Sequence, residues 1–190
     1  MDAVTISKCS GASLANARIY MDPINAAMAQ FQIDKPRRQA AFLATVGVET
    51  QNLTKMEEGF YYLDAARLAS IYPRAFKSAE EARPYTRNSA GLSKLLYGGF
   101  HGRGGIQLTW EKNYRAAGDA LGKPYLVRPE LVAQPVDAML TAAWFWTTNG
   151  CNIAADAGDM RGVTRIVNGP KLMHLAERED LYDIGIRQWA

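Results

Sequence analysis

The chain has 190 residues, enough for one domain or one domain with two lobes, and folding at that length buries roughly 70% of the surface the unfolded chain exposes. Apolar residues make up 48% and charged residues 22%, close to the globular average, which excludes disordered, collagen-like and coiled-coil chains. The net charge of +3, with a pI near 8.9, permits attraction to an anionic polymer or envelope surface. It is too small to indicate nucleic acid, and no dense Lys/Arg run interleaved with aromatics occurs.

Helical signals dominate in chain order. The start, MDAVTISKCSGAS, lacks the basic residues and apolar block of a secretory signal, so synthesis in a cytoplasm is expected. Asp22-Pro23 reads as a helix start with proline at the first helical position, followed by Ile24, Ala27, Met28 and Phe31 at helical spacing. Asp34 and Pro36 open a second helix whose body, Gln39 to Val48, is apolar on nearly every side and should run through the middle of the fold. Its nearly apolar stretch, Ala40 to Val48, is about half of what a bilayer crossing needs, so no membrane insertion is expected. Asp64 to Tyr72 is a shorter amphipathic helix stopped by Pro73, and Ser78 to Tyr97, broken by Pro84 and Asn88, suggests a surface excursion or small lobe. Tyr97 to Thr109 resists a helical reading and holds a strand-like run. Val136 to Thr148 is the other strongly apolar helix, with Asn149-Gly150 as its stop, and Met160 to Val167 and Leu172 to Trp189 close the chain. Cys9 and Cys151 form no CxxC pair and are expected to be buried thiols.

Candidate chemistry is acidic. With two histidines, His101 and His174, and no HExxH or Cys/His cluster, no metal site is expected; a phosphate-binding loop and a GxSxG elbow are also missing. His101, on a loop, is read as structural or exposed. Glu49 ends the most apolar helix, where apolar surroundings and the negative end of the helix macrodipole would both favour the protonated acid that glycosidic cleavage requires. On position alone it could equally fray into water. Glu58 would lie on the opposite side of a continuous helix, so the two carboxylates can face each other only if the helix stops at Thr50-Gln51-Asn52 and the chain returns. A gap of roughly 6.5–9.5 Å between them would make such an enzyme inverting. Glu57-Glu58 also fits a solvated charge pair. Gly102, Gly104 and Gly105 would let a ligand approach the backbone, with Gln107, Thr109 and Asn113 offering hydrogen bonds to sugar hydroxyls and amides. Tyr61, Tyr62, Tyr97, Phe100, Trp110 and Tyr114 cluster around the same segments and could stack on sugar rings, whereas Trp144 and Trp146 are assigned mainly to core.

AAFLATVGVET, EEGFYYLDAARLASIYPRAF, YGGFHGRGGIQLTWEKNYRAAGDALG, AAWFWTTNGCN and TRIVNG, in this order, resemble glycoside hydrolase family 19, and more closely its bacteriophage endolysin branch. The similarity runs from about Ile24 to the C-terminus, and GRGGIQLT followed by NY is its most specific part. The resemblance implies a mainly α, lysozyme-like, two-lobed fold with a substrate groove between the lobes. It implies one catalytic domain over 1–190, with the smaller lobe around 64–100 and no separate wall-binding module. Glu49 matches the general acid, Glu58 the general base with Glu57 as its competitor, and Thr109 the residue holding the attacking water. Tyr62, Gln107, Asn113, Tyr114, Asn168 and Glu57 are placed in the substrate groove, and Arg178 matches an arginine that pairs with acidic groups near it. Two departures stand out: Val48 replaces the usual histidine before the acid, and Gly59 and Tyr61 replace asparagines after the base. The implied function is a cofactor-free, monomeric phage endolysin that hydrolyses β-1,4 bonds of peptidoglycan in the periplasm, reaching it through a holin-like pore protein. A chitinase or a lytic transglycosylase is the alternative.

Overall fold

The computed structural model describes residues 1–189, and these are mainly helical, with isolated bridge residues at Glu57, Arg103 and Leu108, the last two paired with each other in place of the strand expected in 97–109. The helices are α1 (Ala3–Ser10), α2 (Leu14–Gln30), α3 (Pro36–Glu49), α4 (Ala65–Ile71), α5 (Ala79–Ala82), α6 (Ser89–Tyr97), α7 (Glu111–Leu121), α8 (Pro135–Thr148), α9 (Cys151–Asp156), α10 (Met160–Asn168) and α11 (Leu175–Ile186). Among the described residues no helix is long and apolar enough to cross a membrane. The described residues divide into two compact units, one made of 1–56, 103–108 and 130–189, the other of 57–102 and 109–129. The second unit thus includes α7 and is wider than the excursion around 64–100 that the sequence suggests.

The first unit is built around α3. Ala40 to Gly47 are all buried, as a helix apolar on every side requires, and α1, α9, α10 and α11 pack against it. Phe42 meets Trp146 of α8 edge to face, with ring centroids 5.4 Å apart. Helix α1 comes so close that a Cβ on Gly47 would stand 2.3 Å from the carbonyl oxygen of Ser10, so only glycine fits there. Both cysteines are free and buried, and burial raises their thiols to about 11 at Cys9 and about 12 at Cys151.

Helix α2 corrects the sequence reading. It begins nine residues earlier than Pro23, capped by the Ser13 hydroxyl on the N–H of Asn16, and Pro23 sits inside it. Proline there forfeits one intrahelical hydrogen bond, but Ala17, Ile24, Ala27 and Met28 continue one buried face that packs against α8. Tertiary burial outweighs the local break.

The second unit has its own core of Phe60, Leu68, Phe76, Ala82 and Leu92, flanked by Tyr62, Tyr72, Tyr85 and Tyr97. Asp64, Ser78 and Asn88 cap α4, α5 and α6 with side-chain oxygens, which accounts for the breaks read at these positions.

Candidate active site

The end of α3 sets Glu49. Thr50 closes the helix, its hydroxyl donating to the Val46 carbonyl (2.6 Å) and accepting from the Leu53 N–H (2.9 Å). Gln51, Asn52 and Leu53 then adopt consecutive positive φ angles of 49°, 62° and 58°, a left-handed reversal that turns the chain out of the helix. The stop proposed at Thr50-Gln51-Asn52 therefore exists.

Glu49 is nearly buried, with 13% of its side chain exposed, and its neighbours are not only apolar. Its Oε1 accepts from Nη2 of Arg178 on α11 and from Nδ2 of Asn168 at the end of α10 (3.0 Å). Arg178 Nη2 also donates to Asn168 Oδ1 (2.6 Å), and Nη1 reaches the Thr45 carbonyl at 3.4 Å. Arg178 has no exposed surface, so its guanidinium is tolerable only because these acceptors compensate it. The apolar surroundings expected for Glu49 are thus joined by a buried cation, the arginine that the resemblance places near acidic groups. Among the described residues its second oxygen, Oε2, makes no hydrogen bond. One carboxylate oxygen is fixed by two donors.

The second unit holds the other acids. Glu57 is a bridge residue, 58–63 has no helix or strand, and the Glu58 N–H donates to the Gly102 carbonyl at 2.9 Å. The Glu58 carboxyl is half-buried, and burial pushes its pKa above the ordinary glutamate value, opposed by a hydrogen bond from the Gly102 backbone. Its negative charge adds to the burial that raises the Tyr72 and Tyr97 phenols. Glu57 is more exposed, and its Oε1 lies 2.8 Å from Nε2 of His101. Glu57 and Glu58 are thus not an equivalent solvated pair.

The loop after α6 behaves differently from the sequence expectation. Residues 101–106 are buried. Of Gly102, Gly104 and Gly105 only Gly104 has a positive φ, and a Cβ on Gly105 would meet Ala142 at 3.0 Å while its N–H donates to the Ala138 carbonyl at 3.1 Å. Gly104 and Gly105 therefore admit helix α8, not a ligand. Gln107 is half-buried, and its amide nitrogen donates to the Gly104 carbonyl (3.2 Å). Thr109, also half-buried, accepts on its carbonyl from Asn113 Nδ2 (2.8 Å). Tyr114 is fully buried, its hydroxyl donating to the His101 carbonyl at 2.7 Å, so it cannot touch a substrate. Tyr62 is half-buried and meets Tyr72 edge to face with hydroxyls 3.3 Å apart. Trp110 is half-exposed at a positive φ of 76°, strained for a bulky residue, and leans on Tyr97 at 5.1 Å.

Of the two readings given for His101, structural or exposed, the structure fits the first, and Ser93 is not singled out by the sequence. His101 is buried, with Nδ1 2.5 Å from Ser93 Oγ and Nε2 on Glu57. Its partner lies 44 residues away, and no local pattern announces it.

A helical scaffold whose buried central helix ends in an arginine-clamped glutamate, with a half-buried second glutamate downstream, defines a chitinase-like protein of lysozyme-like fold. The sequence matches the Chitinase class I family over residues 23–158, and the chain belongs to that family, glycoside hydrolase family 19. Among its relatives, acidic endochitinase SP2 of Beta vulgaris is 34% identical over 142 residues, 72% of this chain and 41% of the beet protein. Endochitinase CHI of Arabidopsis thaliana is 56% identical over 52 residues, 27% of this chain and 19% of that one. The chain thus spans less than half the length of either. A solved bacterial family 19 chitinase is 26% identical, with a TM-score of 0.66 over 98% of this chain and 93% of its own. Chitinase C from Streptomyces griseus HUT6037 is 25% identical, with a TM-score of 0.64 over 96% of this chain and 75% of its own.

Proposed function

We propose that the chain hydrolyses β-1,4 bonds in a polymer of N-acetylated amino sugars, with inversion at the anomeric carbon. Glu49 delivers the proton to the leaving oxygen through Oε2 while Arg178 and Asn168 hold Oε1 still. Glu58, ionised, takes a proton from the attacking water, and Thr109 helps hold that water. The observation that carries the reading is the division of labour within the Glu49 carboxyl, one oxygen clamped and one without a hydrogen bond. The family supports it, since glycosidic cleavage uses paired carboxylates in acid and base roles.

The named relatives are chitinases, which favours chitin as the polymer. Peptidoglycan, hydrolysed in phage-driven cell lysis, is the second reading. The net charge of +3 favours it, because it suits an anionic wall polymer, as does the resemblance of the GRGGIQLT and EEGFYYL segments to the endolysin branch. Purified protein should be incubated separately with chitin hexasaccharide and with isolated sacculi, and the products read by mass spectrometry. Water-added reducing ends from one polymer identify the substrate, and anhydro ends from sacculi would replace hydrolysis by transglycosylation. Glu49→Gln should lower the rate by at least about 10²-fold with an unchanged circular dichroism spectrum. Parental activity in that variant would remove Glu49 from the mechanism.

A further inference from the structure

Glu58 follows an isolated bridge residue, Glu57, and no helix or longer strand holds it, so its position depends on a few backbone bonds and on what neighbouring loops grip. The grip comes from 100–102. Besides the Glu58 N–H on the Gly102 carbonyl, the Glu57 carboxyl meets His101 Nε2 at 2.8 Å, and Phe60 packs on the His101 ring at 4.8 Å, nearly perpendicular. His101 is itself anchored: Ser93 of α6 bonds its Nδ1, and Tyr114 of α7 donates to its carbonyl. A carboxylate only accepts, so Nε2 carries the proton that points to Glu57. In the neutral ring Nδ1 then accepts from the Ser93 hydroxyl. A buried imidazole thus ties two helices to the residue directly preceding Glu58. A partly exposed hydrogen bond of this kind adds little to stability, but it removes freedom from the adjacent backbone.

We propose that His101, braced by Ser93 and holding Glu57, is a positioning residue for Glu58, and that Glu57 serves as its handle rather than as the base. The inference rests on Glu58 acting as the base. Glu57→Ala and His101→Phe should each lower kcat about tenfold with KM changed less than about twofold, because misplacement of a reacting group by about 1 Å can cost as much as 10²-fold. Glu57→Gln should keep at least about half of the parental kcat, since its amide oxygen still accepts from Nε2. The double variant Glu57→Ala/His101→Phe should be no slower than His101→Phe alone, as members of one chain are not additive. Hydrogen exchange at the Glu58 amide, read by NMR without substrate, should be accelerated about tenfold in Glu57→Ala and near parental in Glu57→Gln. Parental kcat and parental exchange in Glu57→Ala would overturn the proposal. So would a Glu57→Gln variant as inactive as Glu58→Gln, which would make Glu57 the base. Should His101→Phe fail to fold, the partly exposed Glu57→Ala decides the matter. If Glu58→Gln retains full activity, the base assignment fails by itself, while the exchange measurement still reports on the His101 grip.

Discussion

Glu49 and Glu58 lie close in sequence, belong to different compact units and meet opposite electrostatic surroundings. Glu49 is held by a wholly buried arginine and an asparagine at the end of a rigid helix. Glu58 sits on irregular backbone, half-buried, and among the described residues no cation pairs with it. The carboxylate in the more apolar sequence context thus acquires the ionic environment, and the one that looks solvated acquires the desolvated one. Environment assembled from distant residues, not flanking sequence, sets two identical side chains apart.

Substitutions can break that contrast, beginning with the largest effect. Glu58→Gln should reduce kcat by at least about 10²-fold; parental turnover would leave Glu49 without its counterpart. Arg178→Met should strand the Glu49 carboxyl without its buried partner and cost about 3 kcal/mol of stability, as is usual for breaking a buried pair. For a chain of this length that lowers Tm by roughly 6–12 °C in a thermal melt. An unchanged melt would mean that the clamp is not energetically coupled to the fold. Gly47→Ala should cost about 1–3 kcal/mol through the forced separation of α1 from α3, since its new methyl would collide with a backbone oxygen.

A finer test uses pH. Burial raises the Glu58 pKa, so the charged form is disfavoured in the folded protein. Its destabilisation is absent below the unfolded pKa of about 4.3, grows as pH rises through the folded value and persists above it. Glu58→Gln should therefore raise Tm at pH 7 and leave it unchanged at pH 3, a gain in stability accompanying the loss of activity. The same shift places the acid-side fall of kcat/KM above the pH of an ordinary glutamate. The smallest effect is expected at Asp156, whose carboxyl is held below the usual aspartate range by hydrogen bonds from Arg38 and Lys35. This pair stabilises above the unfolded aspartate pKa and fades as pH falls through the lowered folded value. Asp156→Asn should thus lower Tm slightly at pH 7 and progressively less on acidification.

Much of the helical scaffold is legible in the sequence because burial is periodic: Ala40 to Val48 could only be a central helix, and its end at Thr50 follows from residues that compete for backbone hydrogen bonds. Helix α2 is misplaced because proline is a local signal and the packing against α8 is not. Helix α7 escapes notice because EKNYRAAGDAL buries only Tyr114, Ala117 and Gly118. In the site, Glu49 with Asn168 and Arg178 is recoverable from motif order. The use of Gly105 as a seat for α8, the burial of Tyr114 and the Ser93–His101–Glu57 chain are not, since each depends on a partner far along the sequence.

The proposed cleavage needs two unlike carboxylates, with water as nucleophile. Proton NMR of the reducing-end anomer during the first turnovers of a β-1,4-linked N-acetylated oligosaccharide tests this directly. The α-anomer should appear first and then mutarotate. Initial release of the β-anomer would contradict it, because that product requires a covalent or substrate-assisted intermediate in place of a water activated by Glu58.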